Sequence, residues 1–173
     1  DTLEVTSDAS VADADLAQLT GIETLMLSAN ATDNSQTLSL DSHAMAMGLT
    51  TVDSTAVNAD DTVVVTATNF ANALSYLGGA ANEQYFLGTG GSVISTGDGN
   101  NFVFVGAAND GVHDDDITTG TGNDLIQVTN AQFTSHLSIA MSGGVDVVQI
   151  VTDASIVDAD FTLLASVEEL LLT

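Results

Sequence analysis

Asp110, Asp114, Asp115, Asp116 and Asp124 crowd one stretch of a chain that holds 24 acidic residues and neither lysine nor arginine. No carboxylate can find a Lys or Arg partner, so the chemistry open to these groups is chiefly the binding of a cation from outside. Two unit charges 4 Å apart repel by about 1 kcal/mol in bulk water, and by more near a protein surface. Monovalent salt screens that repulsion, whereas a divalent ion held between carboxylates removes it locally and cross-links the chain. With a formal net charge of -24, the whole chain faces this problem.

The acids also keep a spacing. In Gly120-Thr-Gly-Asn-Asp124-Leu-Ile-Gln-Val128 two alternate glycines precede an acid, and an apolar residue stands two positions after it. Nine residues before Asp124 lies Asp115, followed at plus two by Ile117. Glu83, Ser92, Asn101 and Asp110 are likewise nine apart, with Tyr85, Ile94, Val103 and Val112 at plus two. The phase slips by five between Asp110 and Asp115, which predicts one longer turn. Asp61, Asp146 and Asp1 extend the pattern at wider spacing.

This ladder, spanning residues 78–146, resembles the calcium-binding nonapeptide repeats of RTX (repeats-in-toxin) proteins, G-G-x-G-x-D-x-U-x. The resemblance implies a parallel β-roll in which glycines turn the chain and expose carbonyl oxygens. The Asp supplies a carboxylate, and the apolar residue of a short strand points inward. It also implies Ca2+ as the cofactor, since this hard cation takes six to eight oxygen ligands. Carried over position by position, the candidate ligands are Asp98, Asn101, Asp110, Asp114, Asp115, Asp116, Gly120, Gly122, Asp124 and Asp146, with Asn101 stacked beside Asp124. The departures are plain: Gly78-Gly-Ala-Ala-Asn-Glu83 has Glu for Asp, Gly97-Asp-Gly-Asn-Asn101 has Asn, and Gly88-Thr-Gly-Gly-Ser92 lacks the acid. Few calcium sites are therefore expected, with Asp110 and Asp114 to Asp116 building one irregular site.

The elements that position these groups form a repeat. Residues 1–28 align without a gap to residues 146–173, with 11 of 28 identities at an offset of 145, including Asp13-Ala-Asp15 and Asp158-Ala-Asp160. A long period of this kind marks units that bury one another's ends. Each copy is expected to hold a short helical turn, N-capped by Asp13 or Asp158 and carrying Leu16 and Leu19 (or Phe161 and Leu164) inward, then a strand. Further strands are expected near 36–40, 50–53, 61–66, 84–87, 101–105, 124–128 and 136–141, with another helical turn at His43 to Met47. The expected fold is all-β, a right-handed parallel β-helix or β-roll solenoid with a few short helical turns. It divides into degenerate coils (1–77), calcium-binding coils (78–146) and the start of the next copy of the repeat (146–173).

Absent Lys and Arg speak against nucleic acid and anionic membrane surfaces, both bound through positive side chains. No run reaches the roughly 18 apolar residues of a membrane span. His43, His113 and His136 sit in unrelated contexts, and no spacing points to a nucleophile with its base, so no enzyme is expected. The interleaved segments resemble those of very large bacterial surface proteins, which implies an extracellular, cell-surface module whose partners are calcium ions and neighbouring repeats or self-assembling copies. Two alternatives are a glycan- or ice-binding face drawn from Ser35, Thr37, Ser39, Thr50 and Thr51, and an accessory calcium module of a secreted hydrolase.

Overall fold

The computed structural model describes residues 1–6, 10–28, 35–106, 114–134, 136–152 and 155–173. Along the chain run β1 (Thr2–Val5), β2 (Ser10–Val11), β3 (Thr24–Ser28), β4 (Ser35–Ser39), α1 (Ser42–Met47), β5 (Thr51–Ala56), β6 (Thr62–Thr66), β7 (Leu74–Leu77) and β8 (Asn82–Phe86). They continue as β9 (Ser92–Ser95), β10 (Phe102–Val105), β11 (Asp115–Thr118), β12 (Leu125–Val128), β13 (Leu137–Ala140), β14 (Val147–Ile150), β15 (Leu164–Ala165) and β16 (Glu169–Leu172). Short 3-10 turns occupy Asp13–Leu16 and Asp158–Phe161.

Odd-numbered strands make one eight-stranded sheet and even-numbered strands the other. Every pairing between strands is parallel, and each strand pairs with the second one after it, so the chain winds as a β-solenoid. The winding follows from the strands' alternation. Val63 and Val65, Val103 and Val105, Ile126 and Val128, and Val148 and Ile150 point inward from the even sheet and are buried. Leu25, Leu27, Val52, Ile94, Ile117 and Ile139 meet them from the odd sheet. Thr, Ser and Gln hold most positions between, on the outer faces. A parallel sheet in most proteins is covered on both faces and reads as a continuous apolar run. Here only one face is covered, which is why the alternation survives in the sequence.

Coil length varies while register is kept. Stacked residues are 18 apart at Gln84 and Phe102, 23 at Phe102 and Leu125, and 22 at Leu125 and Val147. The five-residue slip in the nonapeptide phase thus lengthens one coil. In the repeated segment, Leu16 is buried as expected, but Asp13 does not cap its own turn. Ala12 holds the N-cap, and its N–H bonds Asp15 at 2.9 Å. Asp13 instead reaches the next coil and caps α1: Oδ1 accepts the N–H groups of Asp41 (2.8 Å) and Ala44 (2.9 Å), and Oδ2 that of His43 (3.0 Å). A cap across coils satisfies donors that a six-residue helix leaves open at its start. Among the described residues no helix is long and apolar enough to cross a membrane.

Candidate functional site: a column of buried carboxylates

Continuing the even-sheet registers by one residue stacks Glu83, Asn101, Asp124, Asp146 and Glu168 one over another. One side-chain oxygen of each later member accepts the backbone N–H of the member before it. Asn101 Oδ1 takes Glu83 N–H at 2.9 Å, Asp124 Oδ1 takes Asn101 N–H at 2.8 Å, Asp146 Oδ1 takes Asp124 N–H at 3.0 Å, and Glu168 Oε2 takes Asp146 N–H at 3.0 Å. On the odd sheet Asp115 Oδ1 does the same for Ser92 N–H at 2.8 Å.

The other oxygen of three of these acids is what sets the column apart. Glu83 Oε2, Asp124 Oδ2 and Asp146 Oδ2 are buried and accept no hydrogen bond. Asn101 shows what the position calls for. Its Nδ2 faces Thr96 Oγ1 at 3.1 Å and the carbonyl oxygens of Gly97, Asp98 and Gly99 at 3.3 Å each, a donor ringed by acceptors. The following coil repeats the turn: Gly120 N–H bonds Gly97 O at 2.9 Å and Gly99 N–H bonds Thr121 O at 2.9 Å, so Gly120-Thr-Gly122 stacks on Gly97-Asp-Gly99. Gly122 has φ +141°, and a Cβ there would lie 1.8 Å from Gly99 O, so only glycine permits this approach. Asp124 therefore presents an acceptor where Asn101 presents a donor. The Thr119 hydroxyl, equivalent to Thr96, is buried beside it and favours the charged carboxylate.

Electrostatics agree with a missing positive charge. Burial pushes the Asp124 carboxyl above the usual range; the N–H of Asn101 and the Thr119 hydroxyl oppose the rise, and the Asp146 charge adds to it. Burial pushes Glu83 up to about 7, against hydrogen bonds to Oε1 from Gly79 N–H (3.0 Å) and the Ser54 hydroxyl (3.3 Å). A proton or a metal cation would relieve either group. Oxygen-only donors with no nitrogen or sulfur suit a hard cation such as calcium, with Asp124 and Asp146 as the side chains that fit it. Among the described residues no three acids or imidazoles converge to hold a metal by side chains alone, so backbone oxygens would have to supply the remainder.

The structure brings Asn101, Gly120, Gly122, Asp124 and Asp146 into this one neighbourhood. The acidic triplet does not form the single site expected of it. Strand alternation splits it: Asp115 is buried at the start of β11, while Asp116 is exposed on the outer face and Asp114 is exposed and bound to His136 Nδ1 at 2.7 Å. Asp98 is engaged too, accepting Thr121 Oγ1 at 2.7 Å and Thr121 N–H at 3.0 Å, bonds that hold its carboxyl below the usual range. Asp110 and His113 lie outside the described residues. Of the hydroxyls considered for a binding face, Ser35, Thr37 and Ser39 belong to β4 in the even sheet and Thr51 to β5 in the odd one, so they do not share one surface. Glu83 stands in the nine-residue series but not among the candidate ligands; Thr119 and Glu168 carry no motif at all. No family model, curated protein or solved structure matches this chain.

Proposed function

We propose that the chain is a non-enzymatic structural module of a large extracellular bacterial surface protein, of the RTX-like kind, whose solenoid is stiffened by calcium. The observation that carries this reading is the pair of buried, unpartnered carboxylate oxygens on Asp124 and Asp146 in a chain without Lys or Arg. No side chain other than His can supply the positive charge they call for. Calcium bound there would tie adjacent coils together, and it would bind the folded state far better than the unfolded chain. Such binding stabilises by RT ln(1 + [L]/Kd), about 2.7 kcal/mol per site at a hundredfold excess over Kd.

Calcium titration of chelated protein, followed by far-UV circular dichroism and thermal melting, tests the reading. A melting temperature that climbs with calcium at low salt is expected. The same melting curve before and after verified calcium removal would overturn the calcium part of the proposal.

A further inference from the structure

The two copies of the repeated segment differ in what covers them. Leu16 and Leu27 are 1% and 0% exposed, whereas their counterparts Phe161 and Leu172 are 41% and 63% exposed. In the first copy the cover is the coil built from β4, α1 and β5: β3 pairs with β5, Leu25 opposite Val52, and Asp13 caps α1. In the second copy Phe161, Leu164, Val167 and Leu170 line an open cavity of about 420 Å³. Asp158, the counterpart of Asp13, is exposed and accepts no hydrogen bond among the described residues.

The copies also start on opposite sheets. β1 and β3 belong to the odd sheet with Thr2 opposite Thr24, and β14 and β16 to the even sheet with Val147 opposite Glu169, the same 22-residue step. From β1 to β14 is thirteen strand steps (14 − 1), and each step changes sheet, so the 145-residue unit (146 − 1) is six and a half coils.

We infer that the face formed by Phe161, Leu164, Leu170, Leu172 and Asp158 is the docking surface for a coil like residues 35–56, supplied by a following unit of the same polypeptide, and that successive units are related by a half turn about the solenoid axis. The occupant is specified by the covered copy within the same chain: two strands to extend both sheets, and a short helix whose first N–H groups meet Asp158. At about 4.8 Å per coil along the axis, six and a half coils advance the array by about 31 Å. Each outer face then changes side from one unit to the next, so the ring cluster of Phe86 with Phe102 and Phe104, on the even sheet, is displayed on both sides of the array. This rests on reading the chain as one unit of an array and is independent of calcium.

A tandem chain, residues 1–173 followed by a second copy of residues 29–173, tests it. Asp158→Ala should lower the melting temperature of the tandem by about 2–4 °C, as loss of a helix cap does, and leave the 173-residue chain unchanged. Spin labels at Gln84 of the first unit and Val93 of the second should lie closer together than labels at Gln84 of both. An Asp158 substitution without effect in the tandem would overturn the docking. A shorter distance between the two Gln84 labels would overturn the half turn. Dimers of the 173-residue chain broken by Leu172→Asp would show that a separate copy is the occupant instead. Calcium titration of the tandem stands apart, since a null result there sinks the calcium reading and leaves the stacking in place.

Discussion

Asp124 sits one coil beyond Asn101, accepts its backbone N–H at 2.8 Å, and turns an unpartnered oxygen toward surroundings in which Asn101 places an amide NH2. The amide is a neutral substitute for a bound cation. On the calcium reading proposed above, coils that carry it close without help, whereas coils that carry Asp take up an ion.

Asp124→Asn should therefore separate the two roles of that side chain. The amide keeps the acceptor for Asn101 N–H and adds a donor for Thr119 and the turn carbonyls. Stability of the calcium-free protein should rise by about 1–3 kcal/mol, the cost of a buried unsatisfied group removed, while the calcium-linked gain shrinks. Chemical denaturation with and without chelator measures both. Asp124→Ala, which orphans the Asn101 N–H, should be destabilising in either condition.

The reverse exchange, Asn101→Asp, should create a calcium requirement where none existed. Its new oxygen would face the three carbonyl oxygens and the hydroxyl that now surround the Asn101 NH2. Isothermal titration calorimetry should register one more bound ion than the parent, and the chelated variant should melt lower.

Acid should stabilise the calcium-free protein over a defined window. Burial raises Glu83 from its ordinary 4.5 to about 7, so the folded state holds a proton that the unfolded chain has released. Stability then falls as pH rises from about 4.5 through 7, because the native state binds more protons there. Melting temperatures of chelated protein at pH 5 and pH 8 should show the higher value at pH 5. Glu83→Gln should flatten that difference.

The stacked turns predict a sharp contrast between glycines. Gly122→Ala should cost well over 2 kcal/mol, since its Cβ would collide with Gly99 O at 1.8 Å. Gly21→Ala, with φ +69° and nothing within 4 Å, should cost only the left-handed penalty of about 1–2 kcal/mol. Urea unfolding of the two variants compares them directly.

The parallel solenoid was legible because its strands are covered on one face, which leaves Val63-Val-Val65 and Phe102-Val-Phe-Val105 framed by turn residues. Nine-residue spacing also placed Glu83 and Asn101 on one sheet with Ser92 on the other, two half-coils per turn. β7 was not legible: Leu74-Ser-Tyr-Leu77 is four residues without an acid or glycine ladder to mark its phase, and Leu74 with Leu77 matches a helix face as well as Leu74 with Tyr76 matches a strand face. Asp114 to Asp116 misled because a run of like residues hides the alternation that sends neighbours to opposite faces. Asp13 misled because capping chemistry identifies a helix start without saying whose. The partner lay 28 residues away, reachable only once the coils were stacked.

The backbone hydrogen-bond ladders that join one coil to the next pair strands stacked along the solenoid axis. Tension applied between the two ends therefore loads these bonds head-on, a single coil at a time, and does not shear many strands at once. Peeling one coil of 22 residues, such as that between Val147 and Glu169, would free about 75 Å of chain at roughly 3.4 Å per residue, in exchange for about 4.8 Å of folded length. A thread of such coils would give under load in small, recoverable steps. Where an aspartate coil is clamped by a cation and an asparagine coil is not, the concentration of that cation would set which step gives first.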